Sequence, residues 1–285
     1  AKAVFGHLSV EPVDNLTLSV GLRYTDESKY YPYFRFLPNG QVNPFQDLVG
    51  AIYGVGYSGL DTLGIFGNTA ATVTALSGTI NSYASSRLDW RISADYRVSD
   101  QLLVYANVAT GFKGGGTNPR PFTAAQALIS FDPETLTAYE VGFKSDLLDR
   151  ALRLNVSAFF NDFKSLQVPV LACPDSPCAA RLNAANAEVK GFEVEAALNL
   201  DGGLLIDASL SYLDFAYTDA LDPLAFFPAN PGGIVAGDPG GAPEWKWSIG
   251  AQYAIDLGGS GTLTPRFDAY YQADQFTGAA VVGTT

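Results

Sequence analysis

The chain has 285 residues and a net charge of −12, because 17 Lys and Arg residues stand against 29 Asp and Glu residues. So few basic side chains cannot neutralise many phosphates, which excludes a general nucleic-acid-binding protein. Charged residues make up 16% of the chain and aromatic residues 13%, a composition that argues against a disordered polypeptide. No run of 18 apolar residues occurs, so the sequence predicts no transmembrane helix, whereas transmembrane strands need no such run.

The N-terminal sequence lacks the features of an intact precursor. The chain contains no methionine and opens without the charged and apolar regions of a signal peptide. We therefore expect a processed protein or a piece of a larger one. The single histidine, His7, argues against multi-histidine metal sites.

Apolar and polar side chains alternate with a period of two along much of the chain. From Leu16 to Tyr24 the even positions are apolar, and the segments that begin at Leu88, Leu152 and Trp245 repeat the pattern. This period is typical of a β-strand whose two faces meet different solvents. The sequence therefore predicts an all-β protein.

Ten strands follow from the alternation and the turn residues. They are predicted at 2–11, 15–26, 86–98, 101–113, 135–147, 151–164, 188–199, 204–217, 244–257 and 261–273. Short turns rich in Asp, Asn and Gly join the strands in pairs, at 12–15, 99–100, 148–150, 201–203 and 258–260. Long connections follow the pairs, at 27–85, 114–134, 165–187, 218–243 and 274–285.

The strict alternation of short turns and long connections favours a transmembrane β-barrel wall over a soluble sandwich. The predicted strands of about 10 to 14 residues can cross a bilayer at a tilt, whereas sandwich strands are usually about five or six residues long. Trp90, Tyr96, Trp245 and Tyr253 lie near the ends of the apolar face, where an aromatic girdle is expected.

The opposite face is expected to line a wet lumen. Its predicted charged residues are Arg23, Arg91, Lys113, Lys144, Arg153, Lys190, Lys246, Arg266, Asp89, Asp95, Glu140, Glu193, Glu195, Asp207 and Asp268. We expect most of them to pair with one another or with a domain that fills the barrel, and a few to contact a passing ligand. The first predicted strand enters a short turn and the tenth leaves one, so both would have their outer ends on the extracellular side. This topology predicts the interior of a larger antiparallel barrel.

Several segments resemble strand motifs of the TonB-dependent outer-membrane receptors. AVFG at 3–6 and LTLSVGLRYTDE at 16–27 are similar to that family's F-G … L-x-G-x-R-Y-x-x-E hairpin. Further matches, in family order, are VYANVATGFK at 104–113, ETLTAYEVGFK at 134–144, LRLNVSAFFNDF at 152–163 and NAEVKGFEVE at 186–195.

The resemblance implies that residues 1–285 are part of the barrel domain of such a receptor, about ten strands of about 22, without the plug domain and the C-terminal strands. It implies the outer membrane of a Gram-negative bacterium, contact with outer-membrane lipid and a monomer. It also implies coupling to the TonB complex through the missing plug and uptake of a small-molecule ligand such as a ferric siderophore. Haem, cobalamin and oligosaccharide stay open as ligands, and no cofactor is expected.

An aromatic cluster in the first long connection is the predicted ligand-binding site. It contains Tyr30, Tyr31, Tyr33, Phe34, Arg35 and Phe36. Exposed rings and a guanidinium can stack on an aromatic chelate or a sugar. The alternative is that these residues extend the strand above the bilayer and pack against neighbouring loops.

Three further features predict structure rather than chemistry. Cys173 and Cys178 are expected to form a disulfide within an external loop, since two thiolates alone do not complete a metal site. The G-x-G-x-x-G match at 54–59 lies in a long connection without a βαβ unit, which predicts a glycine-rich loop and no nucleotide site. His7 is expected to be a lumen-facing or interfacial residue.

No catalytic or metal-binding residue is predicted. A lone histidine at position 7 supports no recognisable Ser/His/Asp set, and the regular spacing of the carboxylates on one face explains them without acid–base chemistry. We therefore expect a receptor and transporter and no enzyme. The competing hypotheses are a small self-contained outer-membrane barrel acting as a pore or surface enzyme, and a soluble β-sandwich binding module.

Overall fold

The computed structural model describes residues 1–33, 78–118, 121, 124–170, 180–220 and 241–275. In chain order the elements are β1 Lys2–Val13, β2 Leu16–Pro32, β3 Ile80–Ser99, β4 Leu102–Lys113, β5 Gly116–Thr117, α1 Ala124–Ala127, β6 Ser130–Phe131, β7 Glu134–Leu147, β8 Leu152–Val170, β9 Ala180–Leu200, β10 Leu204–Ala220, β11 Trp245–Tyr253, β12 Ile255–Asp256, a 3₁₀ turn Gly258–Ser260, β13 Thr262–Leu263 and β14 Arg266–Gln272. None of the helices in these ranges is long and apolar enough to cross a membrane, a finding that does not concern strands.

One ten-stranded antiparallel sheet makes up the wall. Its order is β1-β2-β3-β4-β7-β8-β9-β10-β11-β14, so each long strand pairs with the long strands before and after it in the chain. Within the described residues β1 and β14 are the two edges of this sheet. The predicted all-β fold, the antiparallel barrel wall and the number of strands are confirmed.

Tight turns close one end of the wall, and the long connections leave from the other end, here called the mouth. Asn15 has a φ of 67°, and the turn at Leu148, Asp149 and Arg150 has φ values of 52°, 54° and 71°. Left-handed backbone at such positions is the conformation that short hairpin turns require, and Asn and Asp tolerate it best.

Several strands are longer at the mouth than the alternation predicts. β2 and β3 stay paired up to Pro32 and Ile80, and β8 and β9 up to Val170 and Ala180. Pairing continues here because backbone hydrogen bonds do not depend on side-chain polarity. The apolar alternation, which marks only the segment in contact with an apolar solvent, stops earlier.

The last hairpin differs from its prediction. The expected strands 244–257 and 261–273 are each interrupted, and β12 pairs with β13 as a separate two-stranded ladder. Pro265 has no N–H to donate to a ladder, although its carbonyl accepts from the Tyr253 N–H at 3.1 Å. The Ala254 N–H donates to the Gly203 carbonyl at 2.8 Å, which continues the register of β10 with β11 by one residue.

The register separates the wall into two chemically different faces. One row across four strands joins Tyr96, Val104, Phe143 and Val156 on the outer face. The adjacent row joins Asp95, Tyr105, Gly142 and Ser157 on the inner face. The outer face is apolar and the inner face polar, as predicted.

Lys190 corrects the predicted set of lumen-facing charges. It pairs with Phe160 and Asp214 in the register and therefore lies on the outer face, where its Nζ is 3.2 Å from Asp214 Oδ2. The prediction was wrong because the outer face stops being apolar near the mouth. Asp162, on the same face of β8, lies at a similar distance from the tight turn.

The outer charges set the height of the apolar band. Lys190, Asp214 and Asp162 each lie about ten residues from the tight-turn end of their strands, a path of about 33 Å at about 3.3 Å per residue. A strand tilt of about 40° reduces this path to a height of about 25 Å, the value for an outer-membrane apolar band.

A band of aromatic rings lies just below these charges. Tyr212 lies between Phe192 and Trp245, with ring centroids 5.8 and 4.7 Å away, and Trp247 stacks on Tyr271 at 6.0 Å. Rings at this height form the girdle expected at a membrane–water interface.

Candidate functional site at the mouth

The connection between β4 and β7 folds back over the inner face of the wall at the mouth. Its described residues, 114–118, 121 and 124–133, are here called the shelf and contain β5, α1 and β6, with β5 paired to β6. Asn118, Gln126 and Ala127 are 0% exposed, so these residues of the shelf are fully buried. A connection that was predicted to be an external loop is therefore a packed element inside the mouth.

Tyr33 and Lys29 of the β2 side hold the first half of the shelf. The Tyr33 hydroxyl lies 2.8 Å from Thr117 Oγ1 and donates to the Asn118 carbonyl at 2.8 Å. Burial raises the pKa of the Tyr33 hydroxyl above its ordinary value of 10.0, against a smaller opposing effect of the Thr117 hydrogen bond. The hydroxyl is therefore protonated at neutral pH and available as a donor. Lys29 Nζ donates to the Gly115 carbonyl at 2.6 Å.

β3 contacts the shelf through two more inner-face residues. Asn81 Nδ2 donates to the Ala127 carbonyl at 2.9 Å. The Tyr83 ring lies so close to Gly115 that a Cβ at that position would overlap its hydroxyl and Cζ. The glycine run at 114–116 thus permits the backbone to approach the wall, which no other residue type would allow at this distance.

β8 and β9 hold the other side of the shelf. Gln167 Nε2 donates to the carbonyls of Lys113, Gly114 and Asp132 at 3.2, 3.0 and 3.1 Å. Asn183 Nδ2 donates to the Asp132 carbonyl at 2.8 Å, and Asn183 Oδ1 accepts from the Asp132 N–H at 2.6 Å. The shelf is therefore clamped between strands on both sides of β4 and β7.

Below the shelf the inner wall carries a polar network. Tyr105 donates to Glu140 Oε1 at 2.7 Å and Asn107 donates to Glu140 Oε2 at 3.2 Å. Further down, Arg266 binds Asp207 at 2.9 Å and contacts Asp268 at 2.6 Å. The expectation that inner-face charges pair with one another is confirmed for Arg266, Asp207 and Asp268, whereas Glu140 binds two neutral side chains.

The predicted aromatic cluster divides between the two faces. Tyr30 points outward and is 64% exposed, whereas Tyr31 lies against Gly116 and Tyr33 binds the shelf. Tyr30 and Tyr31 lie in β2, Tyr33 directly follows it, and Tyr31 and Tyr33 pack against a neighbouring connection, as in the alternative interpretation of the cluster. Their role in ligand binding stays a prediction. Phe34, Arg35, Phe36, Cys173, Cys178 and the glycine motif at 54–59 lie outside the described residues.

His7 lies on the inner face of the edge strand β1, where its Nε2 is 3.0 Å from Ser9 Oγ. His7 was predicted to be lumen-facing or interfacial, and the register places it on the lumen-facing side. In the described part of the chain no group of three or more His, Cys, Asp or Glu side chains could hold a metal ion.

Sequence reasoning missed Asn81, Gln167 and Asn183. All three fall in segments predicted to be connections, and amide side chains in connections carry no pattern of their own. The one available signal was the glycine run at 114–116, since consecutive glycines often mark a close backbone approach.

Comparison with known proteins supports the same fold. The family model for the TonB dependent receptor-like β-barrel matches residues 1–284. The ferric yersiniabactin uptake receptor FyuA from Yersinia pestis superposes with a TM-score of 0.68 at 19% identity, covering 98% of this chain and 35% of that one. The siderophore receptor PiuA from Acinetobacter baumannii gives 0.58 at 16% identity, covering 94% and 35%.

A curated relative is similar over part of the sequence. The metal-pseudopaline receptor CntO from Pseudomonas aeruginosa is 30% identical over 129 residues, which are 45% of this chain and 17% of that protein. The chain thus spans about a third of the solved receptors, and its match spans about a sixth of the curated one. The matched proteins are receptors and transporters rather than enzymes, in agreement with the sequence prediction. With its antiparallel wall and a family match over nearly its whole length, the chain belongs to the TonB-dependent receptor family.

Proposed function

We propose that this chain is part of the barrel of an outer-membrane receptor that takes up a scarce nutrient, and that the nutrient is a ferric siderophore. The observation that carries the proposal is the shelf, which is hydrogen-bonded in place inside the mouth of a wall whose outer face is apolar. Because side chains from the strands on both sides hold the shelf, it offers a preorganised surface to a ligand that enters from outside.

The relatives support this class of ligand. One solved relative takes up ferric yersiniabactin, a second is a siderophore receptor, and the curated relative binds metal–pseudopaline. All three names describe receptors for chelated metal or for the chelator. We therefore favour a ferric chelate over haem, cobalamin or an oligosaccharide.

The family also suggests where the protein works and with what. We propose that residues 1–285 contribute barrel wall in the outer membrane of a Gram-negative bacterium, with the apolar band against lipid. TonB-dependent receptors carry a plug domain and draw energy from the TonB complex, so we propose that a plug from another part of the native protein couples this barrel to TonB. We propose a monomer, in which one barrel serves one ligand.

Uptake of ⁵⁵Fe by whole cells tests the function. The organism that encodes this chain is grown under iron limitation, and ⁵⁵Fe(III) is supplied in its own spent medium, which contains the chelators that it secretes. Deleting the gene should lower ⁵⁵Fe accumulation several-fold, and a plasmid copy should restore it. Deleting TonB in the complemented strain should lower it again.

One control and one refuting outcome make the result decisive. Uptake of a sugar by an unrelated route should be equal in all strains, which excludes a general defect of the outer membrane. If the deletion strain accumulates as much ⁵⁵Fe as its parent, iron-chelate uptake is wrong for this protein.

A further inference from the structure

Gln167 has an unusual position among the residues that hold the shelf. It lies in β8, just after an irregularity in the pairing with β9, and is only 7% exposed. Its amide nitrogen has two hydrogens but contacts three carbonyl oxygens, those of Lys113, Gly114 and Asp132. One hydrogen is therefore shared between two acceptors.

The three acceptors lie at the two ends of the shelf. Lys113 and Gly114 stand where the chain leaves β4, and Asp132 stands just before it enters β7. One side chain from a third strand thus ties the entry of the shelf to its exit.

The backbone of Gln167 strengthens the same junction. Its N–H donates to Glu134 Oε2 at 3.0 Å, and that oxygen also lies 3.2 Å from Lys113 Nζ. Glu134 is mostly buried, with its side chain 14% exposed, so this ion pair is shielded from water on the carboxylate side. Hydrogen bonds to a charged acceptor are stronger than those between neutral groups.

The other strands around the shelf do not bind both of its ends. Tyr33 and Lys29 bind the first half of the shelf from the β2 side, and Asn183 binds only its exit at Asp132. Lys113 and Glu134 join the two ends directly, through their ion pair and the pairing of β4 with β7, but among the described residues Gln167 is the side chain of a third strand that binds both ends. Without its amide, the carbonyls of Lys113 and Gly114 lose this donor, and the loss of a donor to a buried acceptor is unfavourable.

We propose that Gln167 is a positioning residue for the ligand-contact site of this receptor: it acts through the shelf, whose exposed edge contacts the ligand inside the mouth. This proposal rests on the proposed uptake function. Gln167 itself touches no ligand. Gln167 holds the shelf at one height and one angle, so a ligand binds a surface that is already formed and does not have to order the shelf on binding.

The test compares two variants of Gln167 with a matched control in the complete native protein. Gln167→Leu keeps the size of the side chain and removes its donors. Gln167→Lys restores three donors next to the same carbonyls and to Glu134. Gln101→Leu makes the same chemical change at an exposed glutamine near the tight-turn end of the wall.

Two measurements distinguish the effect of Gln167 on the shelf from its effect on ligand uptake. The first is hydrogen–deuterium exchange of the purified, ligand-free protein in detergent, which needs no ligand. Gln167→Leu should speed exchange in 114–133 by about tenfold or more, since it removes hydrogen bonds to three carbonyls. Exchange in β7 and β10 should not change. The second measurement is the initial rate of ⁵⁵Fe uptake against concentration, using ⁵⁵Fe(III) in spent medium.

The expected result is a KM raised several-fold by Gln167→Leu with an unchanged maximal rate and an unchanged amount of receptor in the outer membrane. Gln167→Lys should return both readouts towards wild type, and Gln101→Leu should match wild type. Unchanged exchange in the shelf overturns the proposal, and so does faster exchange with an unchanged KM. If wild-type cells show no receptor-dependent ⁵⁵Fe uptake, the uptake function and the ligand-contact role fail together, while the exchange data still decide whether Gln167 holds the shelf.

Discussion

Replacing Gly142 with alanine should destabilise the wall, because the space that a side chain needs is already filled. A Cβ at Gly142 would lie 2.5 Å from the Val156 carbonyl oxygen and 2.7 Å from Cζ and Oη of Tyr105. The carbonyl belongs to the neighbouring strand and cannot move without breaking pairing. The Tyr105 ring would have to lift off the wall and give up its hydrogen bond to Glu140.

The magnitude follows from these two consequences. Overpacking a filled site costs about 1–3 kcal/mol. A hydrogen bond to a charged acceptor contributes about 1.5–3 kcal/mol, with a lower value here because Tyr105 and Glu140 are partly exposed. Together they predict a loss of about 2–4 kcal/mol in the free energy of unfolding.

Gly111→Ala is the matched control. Gly111 lies in β4, also on the inner face, and a Cβ there would meet nothing within 4 Å. Filling open space while reducing the freedom of the unfolded chain should leave stability unchanged or raise it by up to about 1 kcal/mol.

The assay is urea unfolding of the complete native protein in detergent, followed by tryptophan fluorescence. The midpoint of Gly142→Ala should fall well below that of wild type, and that of Gly111→Ala should not. The double variant Tyr105→Ala with Gly142→Ala should be less destabilised than the two single effects added together, because the ring clash is gone. Equal midpoints for the two glycine variants would refute the steric argument.

Three further changes test the shelf and the aromatic girdle. Gly115→Ala places a Cβ into the Tyr83 ring, so the rate of hydrogen exchange in 114–118 should rise by about tenfold with little change in the urea midpoint. An unchanged exchange rate would contradict the close approach of Gly115 to Tyr83. Tyr33→Phe removes the donor to the Asn118 carbonyl, so protection against hydrogen exchange should weaken by about 1 kcal/mol at 117–118 and stay unchanged at 126–131. An equal loss of protection in both segments would show that the shelf opens as one unit. Trp245→Ala removes two ring contacts on the outer face and should lower the free energy of unfolding in lipid vesicles by about 1–3 kcal/mol. An unchanged free energy of unfolding would mean that the aromatic girdle adds no stability at this position.

The prediction of the fold succeeded where the chain meets two solvents. A strand between lipid and a wet lumen needs a different side chain at every step, so the period of two is present in each strand by itself. Tight turns are also local, since Asn15 and Asp149 can be recognised without their partners. These features are enough to predict ten strands, their pairing in chain order and the apolar face.

The prediction failed where residues distant in the sequence determine each other's positions. Lys190 appeared to belong to the lumen because charge was expected only there, and its true face follows from the register with Phe160 and Asp214. The break after Tyr253 lies where Pro265, which cannot donate to the ladder, is opposite Tyr253. Pro265 is visible in the sequence, but its position opposite Tyr253 follows only from the register.

The sequence by itself therefore determines the wall, its two faces and its family resemblance, because the membrane imposes the same local rule on every strand. Only the tertiary structure decides the shelf. Lys29 and the Gly115 carbonyl that it binds are 86 residues apart, and Gln167 is 53 residues from Gly114. Hydrogen bonds of amide side chains to backbone carbonyls carry no periodicity, so they are visible only when the strands that bring them together are in place.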